Sequence, residues 1–214
     1  MAAALITLVL LSYLLGSIPT GFLVAKAMGV DIRTVGSGNI GATNVFRILG
    51  KGPGIFVLTA DAMKGIFVVV VMVPAFQRIT EPDRVAQYLP ALAGICAILG
   101  HNYTCWLRFK GGKGIATTAG VFAALAPAAF GIALAAWLVV FAASRYVSLA
   151  SIVAAVALPL AVWLTGNGAL LIGVSTALGA LAIYKHKANI ERLRAGTENR
   201  IGAKKTEPPE GKKP

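Results

Sequence analysis

The chain has 214 residues, of which 57% are hydrophobic and only 13% charged, and its 20 Lys and Arg against 8 Asp and Glu give a net charge of +12. So apolar a composition excludes an ordinary soluble domain and predicts an all-α, polytopic membrane helix bundle. The basic residues lie between the apolar runs rather than along one face with interleaved aromatics, which argues against nucleic acid as a partner and for a role in setting topology.

The first apolar run, 2–27, is too long for the core of a cleaved leader and lacks a basic start. Its Gly16-Ser17-Ile18-Pro19 reads as a kink inside a retained span. A polar segment follows, Gly36-Ser37-Gly38-Asn39-Ile40-Gly41-Ala42-Thr43-Asn44-Val45-Phe46-Arg47. Small residues let backbone N–H groups approach an anion, and the stretch from Ala42 is suited to open a helix whose N-terminus adds partial positive charge. The Gly36-x-Gly38-x-x-Gly41 spacing formally matches a dinucleotide fingerprint, but that motif needs a parallel sheet, which this chain does not offer. The bland alternative is a flexible loop with a helix cap.

A second span is expected over 53–77. Asp61 and Lys64 lie roughly 12 to 17 Å along it, at about 1.5 Å per residue. Ionised groups so deep should face the bundle or a wet cavity, and their spacing of three lets them pair, so a structural ion pair is favoured over direct chemistry. A third span covers 85–104. Cys96 and Cys105 make no Cys-x-x-Cys pair, and with only two histidines no protein-ligated metal or other cofactor is expected. After it, Arg108-Phe109-Lys110-Gly111-Gly112-Lys113-Gly114 sets several cations around three glycines just before a helix. It is not a Walker loop, because Gly114 stands where the magnesium-binding Ser or Thr would be. It reads as a phosphate clamp, or more blandly as a basic topogenic loop.

The apolar stretch 115–143 decides the topology. A single crossing would place Arg145 and the basic C-terminal segment on opposite sides, with the latter outside, against the basic bias. Division at Pro127 into 115–126 and 128–143 returns both to the cytoplasm, although each half falls short of about 20 residues. With spans at 148–165 and 168–185 this predicts seven transmembrane helices, a periplasmic N-terminus and a cytoplasmic C-terminus. The outer loops then hold Arg78, Glu81, Asp83 and Arg84, which cancel. Where the last span emerges, His186, Asn189 and Leu193 share one face of a continuing helix, and Lys185, Asn189 and Arg192 another. Snorkelling explains the lysines but not His186 and Asn189. Residues 1–200 are expected to form one integral-membrane domain and 201–214 a basic, disordered tail drawn to anionic lipid by about 1 kcal/mol per cation.

Taken together and in order, Gly16-Ser17-Ile18-Pro19, Gly36 to Asn44, Asp61-x-x-Lys64-Gly65, Gly100-His101-Asn102, Phe109 to Thr117, Tyr146 to Ser151 and His186-x-x-Asn189-Ile190-x-Arg192-Leu193-x-x-Gly196-x-Glu198 resemble the bacterial acyl-phosphate:glycerol-3-phosphate acyltransferase (PlsY) family. The resemblance implies a seven-helix inner-membrane enzyme that acylates the first carbon of glycerol 3-phosphate from a long-chain acyl phosphate, with its site facing the cytoplasm. It implies that Ser37, Gly38, Asn39, Gly41 and Thr43 hold acyl phosphate, and that Arg47, Lys113, Ser151, His186 and Asn189 hold glycerol 3-phosphate. On this reading Ser148 could cap the sixth helix. Implied partners are the two substrates, membrane lipid and a soluble enzyme that makes acyl phosphate.

The same resemblance implies no obligatory general base, with His186 and Lys113 in support. No His-x-x-x-x-Asp dyad, Ser-His-Asp constellation or activated Cys is visible. An acyl phosphate is already an activated anhydride, so positioning and charge neutralisation supply the rate. A carrier for a phosphorylated metabolite is the competing class; it is disfavoured because no inverted repeat is visible and the cations gather on one face.

Overall fold

The computed structural model describes residues 2–78 and 86–202, and every regular element among them is helical. Glu81, Asp83 and Arg84 of the expected outer loop, and the tail beyond 202, lie outside these residues. The first apolar run is two helices, α1 (Ala2–Ser17) and α2 (Thr20–Ala27), broken at Ile18 and Pro19. Proline lacks an N–H, so the break strands carbonyls that the bilayer interior cannot hydrate. Side chains take over. Lys64 Nζ donates to Ile18 O, and Thr104 Oγ1 donates to Ser17 O at 2.6 Å. Tyr13 OH reaches Tyr103 O at 2.6 Å, and Ser17 Oγ reaches Gly100 O at 3.3 Å.

A short helix α3 (Ala42–Leu49) follows the glycine-rich segment. Then α4 (Lys51–Phe67), a π-helical stretch (Val68–Met72) and α5 (Val73–Arg78) run on as one 28-residue rod. The expected third span is the 14-residue α6 (Leu89–Asn102). The stretch 115–143 is divided as the proline predicts: α7 (Ile115–Leu125) ends, Ala126 leaves helical geometry with φ −147°, and Pro127 opens α8 (Pro127–Ser144) at its first position. The remaining helices are α9 (Val147–Leu164), α10 (Ala169–Lys185) and α11 (Lys187–Arg194). The continuing helix expected past Lys185 is not straight, because α11 turns away from α10 by 57° at His186.

Among the described residues, four helices or rods are long and apolar enough to cross a membrane: 3–27, 51–78, 127–144 and 147–164. The bent α10–α11 pair makes a fifth if it is one span. Helices α6 and α7 are shorter apolar segments.

Small residues set how closely these helices approach. A Cβ on Gly120 would fall onto the Ala62 carbonyl oxygen, and one on Gly65 onto that of Thr117, so α4 and α7 touch backbone to backbone. Gly16 and Gly100 do the same for α1 and α6, against the carbonyls of Ala97 and Tyr13. Phe122, Val121, Ile98, Leu158 and Val162 fill the main core between α6, α7 and α9. A smaller cluster of Ala25, Ile32, Ile40, Val45 and Val57 anchors the glycine-rich segment to α2, α3 and α4.

Lys113, Ser148, Asn189 and Glu198 collect at a single end of this bundle. The loop before α7, the α8–α9 turn, the α10–α11 bend and residues 196–202 meet there: Lys113 bonds Asn189, Ser148 bonds Glu198, and Ile201 N donates to Arg145 O at 3.0 Å.

Gly120→Val would force a branched side chain against the Ala62 carbonyl. The expected loss is about 1–3 kcal/mol, the usual cost of overpacking, read as a lower Tm of the purified protein in detergent. Gly131→Val is the control, because a Cβ there meets nothing within 4 Å and Tm should not move.

Candidate anion-binding active site

The glycine-rich segment is organised from within by one buried amide. Asn44, on the first turn of α3, donates through Nδ2 to the carbonyls of Asn39 (3.0 Å), Val35 (3.1 Å) and Ile32 (3.2 Å), three acceptors sharing two hydrogens. Its Oδ1 accepts Ser37 N at 2.9 Å and Arg47 Nη1 at 3.3 Å. Gly36 carries φ +61°, and a Cβ there would collide with Asn44 Oδ1, so both its conformation and its contact demand glycine. Asn44 thus fixes the loop and aims the Arg47 guanidinium in one stroke. In the sequence Asn44 is one of several polar residues beyond what a helix cap needs, and nothing in its spacing assigns it this organising role.

This arrangement alters how the loop can hold an anion. The amides of Ser37, Gly38 and Gly41 are already taken, by Asn44 Oδ1, Val35 O (3.0 Å) and Asn39 Oδ1 (2.8 Å) respectively. Donors still without an acceptor include the first-turn N–H groups of Ala42 and Thr43 at the start of α3, where the helix dipole favours negative charge. The Ser37 side chain is exposed and its hydroxyl makes no hydrogen bond among the described residues.

The second cationic element is Lys113. It stands on the Gly111–Gly114 loop, where Gly114 caps α7 in the left-handed region at φ +79°. Lys113 Nζ donates to Asn189 Oδ1, and Asn189 Nδ2 donates to Glu198 Oε1 at 2.7 Å. The other oxygen of Glu198 takes Arg192 Nε at 2.7 Å, and Ser148 Oγ donates to Oε1 at 2.9 Å. Burial opposes ionisation of Glu198, but the bonds from Asn189, Arg192 and Ser148 outweigh it and hold the carboxyl below its ordinary value.

In the sequence Glu198 stands only as the last position of the motif that begins at His186, with no role assigned to it; its place at the centre of these bonds comes from the fold. Ser148 does not cap α9, which begins at Val147 without a side-chain cap. Its hydroxyl goes to Glu198 instead. Ser151, one turn deeper, donates to Val147 O at 2.8 Å and accepts Trp137 Nε1 at 3.2 Å.

The electrostatics follow from partial burial of several like charges. Burial pushes Lys113 down to about 8, with Glu198 opposing and the charges of Arg192, Arg47 and Lys185 assisting. Arg47 is lowered by burial, countered by Glu198. Glu198 thus attracts Arg47, Lys113 and Arg192, with Lys185 close enough to repel Lys113, and the excess positive charge is what an anionic ligand would neutralise.

His186 sits beyond the end of α10, 3% exposed, with Nδ1 2.7 Å from Ala182 O. A carbonyl only accepts, so Nδ1 bears the hydrogen and Nε2 is left with its lone pair. Burial, then the Lys113 charge, push its pKa down to about 4, so the ring is neutral at pH 7. Of the residues expected from the sequence, Arg47, Lys113, His186 and Asn189 thus share one electrostatic cluster, joined through Arg47 and Asn44 to the loop carrying Ser37, Gly38, Asn39, Gly41 and Thr43. Ser151 has no hydrogen bond to that cluster.

A family model described as glycerol-3-phosphate acyltransferase matches residues 6–196. A glycerol-3-phosphate acyltransferase of Geotalea daltonii is 50% identical over 194 residues, covering 91% of this chain and 96% of its own. That of Geobacter metallireducens is 53% identical over 198 residues, covering 90% and 95%. Among solved structures, the crystal structure of PlsY, an integral membrane glycerol 3-phosphate acyltransferase, superposes in its glycerol 3-phosphate form with a TM-score of 0.84 at 41% identity, covering 92% of this chain and 96% of that one. Its lysophosphatidic acid form gives 0.81 at 40% identity, covering 92% and 95%. An all-helical membrane bundle with its anion-seeking residues at one end and a family match over nearly its whole length, the chain belongs to the glycerol-3-phosphate acyltransferases.

Proposed function

We propose that this acyltransferase takes its acyl group from a long-chain acyl phosphate and delivers it to the 1-hydroxyl of glycerol 3-phosphate. The products are lysophosphatidic acid and inorganic phosphate, and the step is the first acylation of phospholipid synthesis. The observation that carries the reading is the excess of cations: Arg47, Lys113 and Arg192 are drawn to one carboxylate, Glu198, with Lys185 beside them, in a half-buried cluster suited to two phosphorylated substrates. The related PlsY structures, in glycerol 3-phosphate and lysophosphatidic acid forms, support the acceptor and the product.

In this scheme Ser37, Gly38, Asn39, Gly41 and Thr43 shape the cradle for the acyl phosphate, with the free N–H groups of Ala42 and Thr43 facing negative charge. Arg47, Lys113, His186, Asn189 and Ser151 take glycerol 3-phosphate. The 1-hydroxyl oxygen attacks the acyl carbon, the bond from that carbon to the phosphate oxygen breaks, and the phosphate leaves with the hydroxyl proton on one of its oxygens. A neutral imidazole with its pKa near 4 is a weak base at pH 7. His186 Nε2 accordingly serves to accept a hydrogen bond from a glycerol hydroxyl, and no cofactor is needed.

The proposed topology has seven crossings, with short α6 and α7 among them, the N-terminus in the periplasm and the C-terminus in the cytoplasm. The site then opens to the cytoplasm of a bacterial inner membrane, where a soluble enzyme making acyl phosphate can deliver its product. Purified protein given glycerol 3-phosphate should form lysophosphatidic acid with acyl phosphate and not with acyl-CoA or an acyl carrier protein thioester. Equal turnover with a thioester donor would refute the donor assignment. Phosphometabolite uptake into vesicles by a chain that makes no product would favour a carrier.

Lys113 gives a pH signature. Its pKa of about 8 makes it cationic at pH 7 and neutral above, so phosphate affinity is lost as pH rises. Since kcat/KM reports the free enzyme, it should fall above about pH 8, while Lys113→Arg, charged throughout, should move that fall to higher pH. His186→Gln, which keeps a polar head but not a ring, should raise KM for glycerol 3-phosphate about tenfold and leave kcat within about threefold. Abolished kcat at saturating substrate would instead make His186 an obligatory base.

A further inference from the structure

Beneath the site lies a polar group that the proposed chemistry does not use. On α4, Asp61 Oδ1 accepts Lys64 Nζ at 2.6 Å, and both side chains are almost fully buried, 3% and 7% exposed. Lys64 also holds the Ile18 carbonyl at the α1–α2 break. On the other side of Asp61, His101 of α6 approaches the same Oδ1 with its Nδ1 at 3.7 Å, itself only 7% exposed. A pair meant only to satisfy the broken helix needs no third member.

The opposite edge of the imidazole meets the loop that carries Lys113. A Cβ on Gly112 would fall onto His101 Nε2 and crowd the two ring carbons beside it. The loop also rests on the last carbonyls of α6, with Gly112 N donating to His101 O at 3.0 Å and Gly111 N to Asn102 O at 3.2 Å. Lys113 is the next residue, and its amine reaches Asn189. A continuous line of contact therefore runs from Asp61 through the His101 ring and Gly112 to the ammonium in the site.

We propose that His101, which stands between Asp61 and Gly112, is a positioning residue that sets the height of the Lys113 loop and thereby the affinity for glycerol 3-phosphate. The ring acts as a solid floor. It touches no substrate, and its effect is exerted on where a phosphate-binding charge stands. This rests on the reading of Lys113 as a glycerol 3-phosphate ligand. Displacing a positioned group by an ångström is enough to weaken function heavily.

The test is a steric cycle between His101 and Gly112, read by KM and kcat for glycerol 3-phosphate, direct glycerol 3-phosphate binding and Tm, on the full-length protein in lipid. His101→Ala should raise KM about tenfold or more with kcat within about threefold. His101→Gln, which restores a polar head of similar reach, should recover most of that loss. Gly112→Ala alone should also raise KM, because its methyl strikes the ring. In His101→Ala with Gly112→Ala the methyl has room, so KM should be no worse than in His101→Ala, whereas independent effects would multiply.

An unchanged KM in His101→Ala, or multiplied penalties in the double variant, would overturn the positioning role. So would a loss confined to Tm and to the active fraction. If His101→Ala does not fold, His101→Ser takes its place in the same cycle, and a wild-type response to Gly112→Ala in that short-side-chain background overturns the contact. A wild-type protein that neither binds glycerol 3-phosphate nor forms product would refute the reading of the site itself, and direct binding separates the two failures.

Discussion

One carboxylate holds the working end of this bundle together. Glu198 accepts bonds from Ser148 on α9 and from Asn189 and Arg192 on α11, and Asn189 passes the connection to Lys113 before α7. Two helices meet at its two oxygens, and the loop before α7 is joined to them through Asn189. Partly removed from water, each cation there is costly to bring in, and attraction to Glu198 offsets that cost more than it would in bulk solvent. One negative charge cannot neutralise Arg47, Lys113, Lys185 and Arg192 together. The residual positive charge is the electrostatic signature of a site that receives anions, and it persists only because the bundle beneath is rigid enough to hold like charges close.

That rigidity comes from backbone contact. Gly65 with Gly120, and Gly16 with Gly100, let α4 meet α7 and α1 meet α6 at distances no larger residue permits. In lipid the hydrophobic effect does not drive helices together, so close packing and interhelical hydrogen bonds must. The approach has a second effect. It brings Lys64 to the carbonyl stranded at Ile18 and places Asp61 beside His101, so that the break in the first span and the end of α6 are tied to the same helix. The polar seam follows the glycine contacts rather than standing apart from them.

Hydropathy and helix punctuation made most of the scaffold legible. The kink at Gly16 to Pro19, the division at Pro127 and the helix start after Gly114 follow from residues with fixed local consequences, a missing N–H or a left-handed φ. The paired Asp61 and Lys64 followed from their spacing and from the cost of burying one charge alone. The bend of 57° at His186 was not legible, because no Gly or Pro marks it and the helical pattern runs on through Lys187. Nor was the centre of the cation cluster. Glu198 acquires its meaning from partners at 148, 189 and 192, and Ser148 and Ser151 lie one turn apart on the same helix, so only the fold decides which hydroxyl reaches it.

The glycine-rich segment shows most clearly where residue type and role part company. Its composition suggests a nest of amides open to phosphate, yet Ser37, Gly38 and Gly41 spend theirs on the loop itself. Gly36 serves instead to let Asn44 sit inside the loop, and Asn44 in turn directs Arg47. An anion placed here would meet a helix N-terminus and a guanidinium, both fixed before it arrives. Such preorganisation suits the proposed acyl-phosphate donor, which would arrive already activated and leave largely the task of bringing two like-charged molecules together in register. On this account the protein's main contribution is to make that encounter electrostatically favourable, which explains why its site is rich in fixed cations and hydrogen-bond donors and contains a histidine kept neutral by burial.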